Sequence, residues 1–83
     1  MKVTVKLFAT LADYLPPGSK GNQIEVEAPE GEVVAVVLGR FNLPERLVHL
    51  VLVNGTYIPP VDRASQRLME GDHLAVWPPI AGG

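Results

Sequence analysis

The sequence predicts an α+β fold, a mixed sheet of about five strands with one main helix. Two observations carry that expectation. Apolar and polar residues alternate with period two in segments at both ends of the chain, and only one stretch, near its middle, carries helical spacing. A third sets the scale: 83 residues hold one small domain with no room for a second.

Each element has its own signal. Val3, Val5 and Leu7 alternate with Lys2, Thr4 and Lys6, which describes a half-buried strand, and Phe8 falls on the outward phase. Ala9 to Leu15 reads as a turn or a short helix. Pro16-Pro17-Gly18-Ser19-Lys20-Gly21-Asn22 is a loop. Ile24, Val26 and Ala28 alternate with Glu25 and Glu27, giving a second strand and an antiparallel hairpin with a long connection. From Val33 the apolar residues fall at 33, 34, 36, 37, 38 and 41. Positions 33, 37 and 41 share one helical face, with 34 and 38 beside it. The valines favour a buried strand, but Glu30 and Glu32 suit a helix N-terminus, and Gly39, Arg40, Asn42 and Pro44 suit its end. The run His49 to Val53 ends in Asn54-Gly55, a strong hairpin signal, and Thr56-Tyr57-Ile58 returns as a short strand that Pro59-Pro60 stops. Val61 to Met69 is irregular or briefly helical. Glu70-Gly71-Asp72 is a tight turn, and His73 to Trp77 is the last strand, closed by Pro78-Pro79. A hairpin, a crossing helix and a final strand returning to the centre is the order of the β-grasp, or ubiquitin-like, fold. Residues 1–79 form that domain, and 80–83 are read as a flexible tail ending in Gly-Gly.

Composition removes several function classes. Seven Lys and Arg against nine Asp and Glu give a formal net charge of -2, without the basic excess that phosphate neutralisation demands, so nucleic acid is not an expected partner. With no cysteine there is no disulfide framework, thiolate metal site or nucleophilic thiol. No apolar run approaches the roughly 20 residues of a membrane span, and the N-terminus lacks the apolar stretch of a signal peptide. A soluble, cytoplasmic protein without a membrane partner is expected. No Gly-rich phosphate loop is present. His49 and His73 stand apart, Ser19 and Ser65 have no triad partners at a recognisable spacing, and Asp62-Arg63 and Glu70-x-Asp72 read as turn and capping chemistry. No metal site and no catalysis by the chain alone are expected.

The end of the chain carries the information. Trp77-Pro78-Pro79-Ile80-Ala81-Gly82-Gly83 starts with two prolines that end the strand and lock φ, so the tail leaves in an extended direction. Six residues beyond Trp77 reach roughly 18–20 Å. The terminal glycines have no side chains, so they fit a channel too narrow for other residues and carry the α-carboxylate into a partner. That carboxylate is ionised at neutral pH and a poor electrophile. It becomes reactive once a partner converts it to a mixed anhydride with ATP.

Leu7-Phe8-Ala9-Thr10-Leu11, Leu52-Val53-Asn54-Gly55, Glu70 to Val76 and Pro78-Pro79-Ile80-Ala81-Gly82-Gly83 together resemble the MoaD/ThiS family of ubiquitin-like sulfur carriers. The likeness spans the chain. It implies a β-grasp fold and a terminal glycine that an adenylating enzyme of the ubiquitin-activating type activates with ATP and Mg. Sulfur then replaces the adenylate, leaving a C-terminal thiocarboxylate. Gly83 would carry the activated carboxyl and then the sulfur, Gly82 would give access, and Gly83, standing last, needs no trimming. No cofactor is expected on the chain itself. The long connection from Phe8 to Gln23 and the Pro-Pro before the tail suit the MoaD branch, the small subunit of molybdopterin synthase, better than the thiamin branch. The expected acceptor is then the synthase large subunit or another sulfur-accepting enzyme. Two departures, Ala12 where the family often has Arg and a longer stretch from Pro60 to Met69, bear on which partner is used.

Strand phase also predicts a docking patch. If Leu74 and Val76 face the helix, Trp77 points outward, as Phe8 does, and parallel neighbouring first and last strands bring the two together, with Tyr57 joining them. Phe8, Tyr57, Trp77, Pro78, Pro79, Ile80 and Ala81 are the expected partner-binding residues. The competing expectations are a ubiquitin-like modifier, whose activated Gly83 is joined to lysines, and a plain interaction module with an inert tail.

Overall fold

The computed structural model describes residues 1–80. Alternation decides where the strands lie: β1 (Lys2–Leu7), β2 (Gln23–Glu27), β3 (Leu50–Val53), β4 (Thr56–Tyr57) and β5 (His73–Trp77). They form one sheet of order β2-β1-β5-β3-β4, with β5 in the middle, parallel to β1 and antiparallel to β3. The β1–β2 hairpin pairs Val3 with Val26 and Val5 with Ile24. Its connection contains a 3₁₀ turn over Ala9–Tyr14, and a further bridge between Lys20 and Gln23 closes its end. A crossing helix and a central last strand make this the β-grasp order.

The register places every other side chain on one face. Val3, Val5 and Leu7 of β1, Leu74 and Val76 of β5, and Val51 of β3 have no exposed surface. They pack under α1 (Val34–Gly39) through Val34, Val37 and Leu38, with Leu11, Phe41, Ile58 and Leu68 filling the margins. Burying each such side chain contributes roughly 1.5–3 kcal/mol, so this face holds the domain together.

The helix is shorter than its apolar spacing suggests. It spans Val34–Gly39, Val33 is the extended residue before it, and Phe41 reaches the core from beyond its end. Both termini have physical causes. Gly39 is its last residue, and Asn42, at φ 53°, turns the chain ahead of Pro44. At the start no side chain caps the first turn from the Ncap position. The loop after β4 does so with its backbone: the amides of Val34 and Ala35 donate to the carbonyls of Gln66 (2.9 Å) and Arg63 (2.8 Å). Glu32 fits its expected place, its carboxylate accepting the Val33 amide at 3.1 Å. Val61 to Met69 is therefore irregular, apart from a 3₁₀ turn over Pro60–Asp62, but it is tied to the helix.

Two turns lock the sheet from below. Asn54 and Gly55 take φ values of 49° and 85°, as a two-residue hairpin requires. Gly71, at φ 83°, lets the Glu70–Asp72 turn close, and its amide donates to the Lys2 carbonyl at 2.8 Å. The two turns are joined directly. Asn54 Nδ2 donates to Asp72 Oδ1 (2.8 Å), the Met69 amide to Asp72 Oδ2 (2.8 Å), and the His73 amide to Asn54 Oδ1 (2.9 Å). Asp72 thus serves a turn, as its spacing suggests. Among the described residues, no helix is long and apolar enough to cross a membrane.

Candidate functional site

Among the described residues, no helix lies over the second face of the sheet. That face carries Lys2, Thr4 and Lys6 on β1, Gln23, Glu25 and Glu27 on β2, His73, Ala75 and Trp77 on β5, Leu50 and Leu52 on β3, and Tyr57 on β4, as the register dictates. Charge is confined to the β1–β2 side, where Lys2 Nζ lies 3.9 Å from Glu25 Oε1. Towards β5 and β3 the face turns apolar.

Phe8 and Trp77 meet there. Their rings stack face to face with centroids 4.1 Å apart and planes 6° from parallel. The sequence brings this about in two steps. The parallel register pairs Leu7 with Val76, so the next residues of both strands come out side by side. The Phe8 amide then donates to the Val76 carbonyl at 3.0 Å, carrying the ladder one residue past β1. Ala9 follows at φ 53°, a left-handed conformation unusual for alanine, and turns the chain away into its 3₁₀ turn. Trp77 is half-buried by this packing rather than sunk into a second core.

Tyr57 lies on the same face but apart from the pair. It is opposite Leu52 on the edge strand, so β3 separates it from β5, and no ring contact joins it to Trp77. Leu50 fills the gap: it is opposite Trp77, half-buried, and on the open face. Leu50 is not among the partner-binding residues expected from the sequence, although its phase in the run His49 to Val53 is the signal that finds it.

The chain leaves the sheet beside this patch. Pro78, Pro79 and Ile80 follow Trp77, and with His49, Leu50 and Trp77 they line an apolar groove of about 360 Å³. Ile80 is 82 % exposed. The other three expected site residues, Ala81, Gly82 and Gly83, lie outside the described residues. His49 is exposed beside the tail root and its amide donates to the Trp77 carbonyl at 3.2 Å; His73 is exposed at the far end of β5. Among the described residues, no three His, Asp or Glu side chains gather as a metal would require. The arrangement is an apolar surface with an extended strand end running off it.

The fold and this face define a class, a ubiquitin-like β-grasp protein with an aromatic pair at the root of its C-terminal segment. The ThiS family model matches residues 5–83, and the chain belongs to that family. Among solved structures it is similar to a putative molybdopterin converting factor subunit 1 from Pyrococcus furiosus, at 26% identity over 95% of this chain and 98% of that one, with a TM-score of 0.67. Small archaeal modifier protein 1 of Haloferax volcanii has the same fold at 23% identity, covering 95% and 98% of the two chains with a TM-score of 0.69. So does the complex of subunits 1 and 2 of molybdopterin-converting factor from Helicobacter pylori, at 20% identity over all of both chains with a TM-score of 0.63. No curated protein matches the sequence.

Proposed function

We propose that this protein is a sulfur carrier whose reactive group is the Gly83 carboxyl, and that its open sheet face is where partner enzymes hold it. The carboxylate attacks the α-phosphorus of ATP in an adenylating enzyme of the ubiquitin-activating type, with Mg on the nucleotide. The mixed anhydride forms and pyrophosphate leaves. A sulfide-level nucleophile then adds at the acyl carbon, AMP departs with the oxygen, and a thiocarboxylate remains. In this reading the chain is a cosubstrate and performs no catalysis alone. Residues 80–83 act as the tail that enters the partner, with Gly82 giving clearance at the narrowest point.

The observation that carries the reading is the placement of the C-terminal segment. It leaves the central strand of the sheet at Trp77, beside the stacked Phe8 and on the face that no helix covers. A partner seated on that face meets the root of the tail. Family membership and the Pro78-Pro79-Ile80-Ala81-Gly82-Gly83 ending support the chemistry. The likeness to molybdopterin converting factor subunits favours molybdopterin biosynthesis, with a synthase large subunit as acceptor and this chain as the small subunit. Phe8, Leu50 and Trp77 are the proposed anchors, with Pro78, Pro79 and Ile80 guiding the tail and Tyr57 at the rim.

Intact-mass spectrometry of the protein isolated from its own cells tests this. The expected result is a species in which one oxygen has been replaced by sulfur, absent from a chain lacking Gly83. If no such species forms even with the adenylating enzyme, ATP, Mg and a sulfur source, the carrier reading fails. Isopeptide adducts on lysines in its place would make the protein a modifier.

A further inference from the structure

The pair Asp62-Arg63 reads in the sequence as turn and capping chemistry, yet the Arg63 guanidinium reaches three main-chain carbonyls well away from its own turn. Nε donates to the Ile58 carbonyl at 3.1 Å, Nη1 to the Val48 carbonyl at 3.4 Å and Nη2 to the His49 carbonyl at 3.1 Å. Among the described residues no carboxylate lies within ion-pair distance of it. Two of its three acceptors, Ile58 and Val48, lie just outside regular elements. Ile58 precedes Pro59 and Pro60, which have no N–H. Val48 is the residue at which the 3₁₀ turn Glu45–Leu47 ends, at φ -87° and ψ 87°, before β3 begins. The planar fork therefore joins the segment leaving β4 to the segment entering β3.

The second of those segments is the one against which the tail root rests. The His49 carbonyl is held by Arg63, the His49 amide donates to the Trp77 carbonyl, and His49 lines the groove with Trp77, Pro78, Pro79 and Ile80. Pro78 and Pro79 donate nothing to the ladder, so the direction in which the tail departs depends on how firmly the His49–Trp77 rung is fixed. We propose that Arg63 is a positioning residue for the tail: by fixing Val48 and His49 it sets the orientation of Trp77 and hence the line along which the C-terminal segment reaches a partner's active site. This rests on the carrier reading above. It assigns a role to one residue of the stretch Pro60 to Met69, whose extra length the sequence ties only to the choice of partner.

The test uses the full chain with Arg63→Ala and Arg63→Lys, each confirmed folded by circular dichroism. Lysine keeps the charge but cannot span three carbonyls in a plane. Trp77 is the only tryptophan, so fluorescence reads the tail root without interference. Both folded variants are expected to show shifted Trp77 emission and easier quenching by acrylamide. In ATP–pyrophosphate exchange with an adenylating enzyme of the ubiquitin-activating type, kcat should fall by roughly ten- to a hundredfold while KM changes by less than about twofold, because a misdirected tail is still docked through the intact face. A purely structural role predicts the opposite split, a raised KM from a smaller folded fraction with kcat preserved at saturation, and that result overturns the proposal. So does unchanged Trp77 emission in folded Arg63→Lys, which is also decisive if the alanine variant does not fold. Absence of exchange with the unaltered chain counts against the carrier reading alone, since the Trp77 spectrum does not depend on it.

Discussion

The two faces of the sheet are built from the same strands, and residues one position apart along them have opposite fates. Leu74 and Val76 are fully buried beneath α1, while Ala75 and Trp77 look the other way and stay half-exposed. On the covered face the side chains are aliphatic and β-branched, and they interlock in one cluster with Leu11, Val34, Val37 and Leu68. On the open face the β1–β2 side is charged, whereas the β5–β3 side presents a stacked aromatic pair and two leucines. An apolar area kept out of the core and set beside the C-terminal segment is better explained by binding than by stability. The covered face holds the strands in register, and the open face uses that register to hold Phe8 against Trp77.

Substitutions on the two faces should separate these roles. Leu74→Ala leaves a cavity in the fully buried cluster and is expected to destabilise by about 3 kcal/mol, read as a lower urea midpoint at an unchanged slope. The fraction that remains folded should bind its partner normally. Trp77→Ala should do the reverse: the domain stays folded, but partner affinity measured by calorimetry drops roughly thirtyfold, about 2 kcal/mol. Equal loss of affinity in folded Leu74→Ala would erase the distinction between the faces. Asp72→Ala removes the acceptor shared by Asn54 Nδ2 and the Met69 amide, at about 1–2 kcal/mol of stability in thermal unfolding, and should leave docking intact because the linked turns lie at the far end of β5 from Trp77. Glu25→Gln on the charged side breaks only the exposed pair with Lys2 and should change stability by less than about 0.5 kcal/mol.

Much of this was legible in the sequence because it follows from short-range rules. The alternation of Val3, Val5 and Leu7, the Asn54-Gly55 turn and the Pro78-Pro79 stop place β1, β3, β4 and β5 to within a residue or so, and strand phase together with parallel pairing predicts the Phe8–Trp77 contact. The remainder depends on partners far apart in the chain. The helix starts one residue later than its valine-rich pattern implies, because backbone carbonyls of Arg63 and Gln66 satisfy its first amides. Asn54 and Asp72 are each recognisable as turn residues, but nothing local announces the bond between them across 18 positions. Arg63 reads in the sequence only as part of a turn with Asp62, since its acceptors are main-chain carbonyls and carry no residue signature. Tyr57 was expected beside the aromatic pair; the short β4 puts it on the right face with β3 in between.

The central claim is that partners are held by the open face at the root of the C-terminal segment. Amide hydrogen exchange of the full chain, with and without the adenylating enzyme, ATP and Mg, tests it most directly. Protection gained at Phe8, Leu50 to Leu52 and Ala75 to Trp77, with α1 and the Pro60–Asp62 turn unchanged, is the predicted pattern. Protection gained across α1 and that turn, with β5 and Phe8 unaffected, would contradict the account.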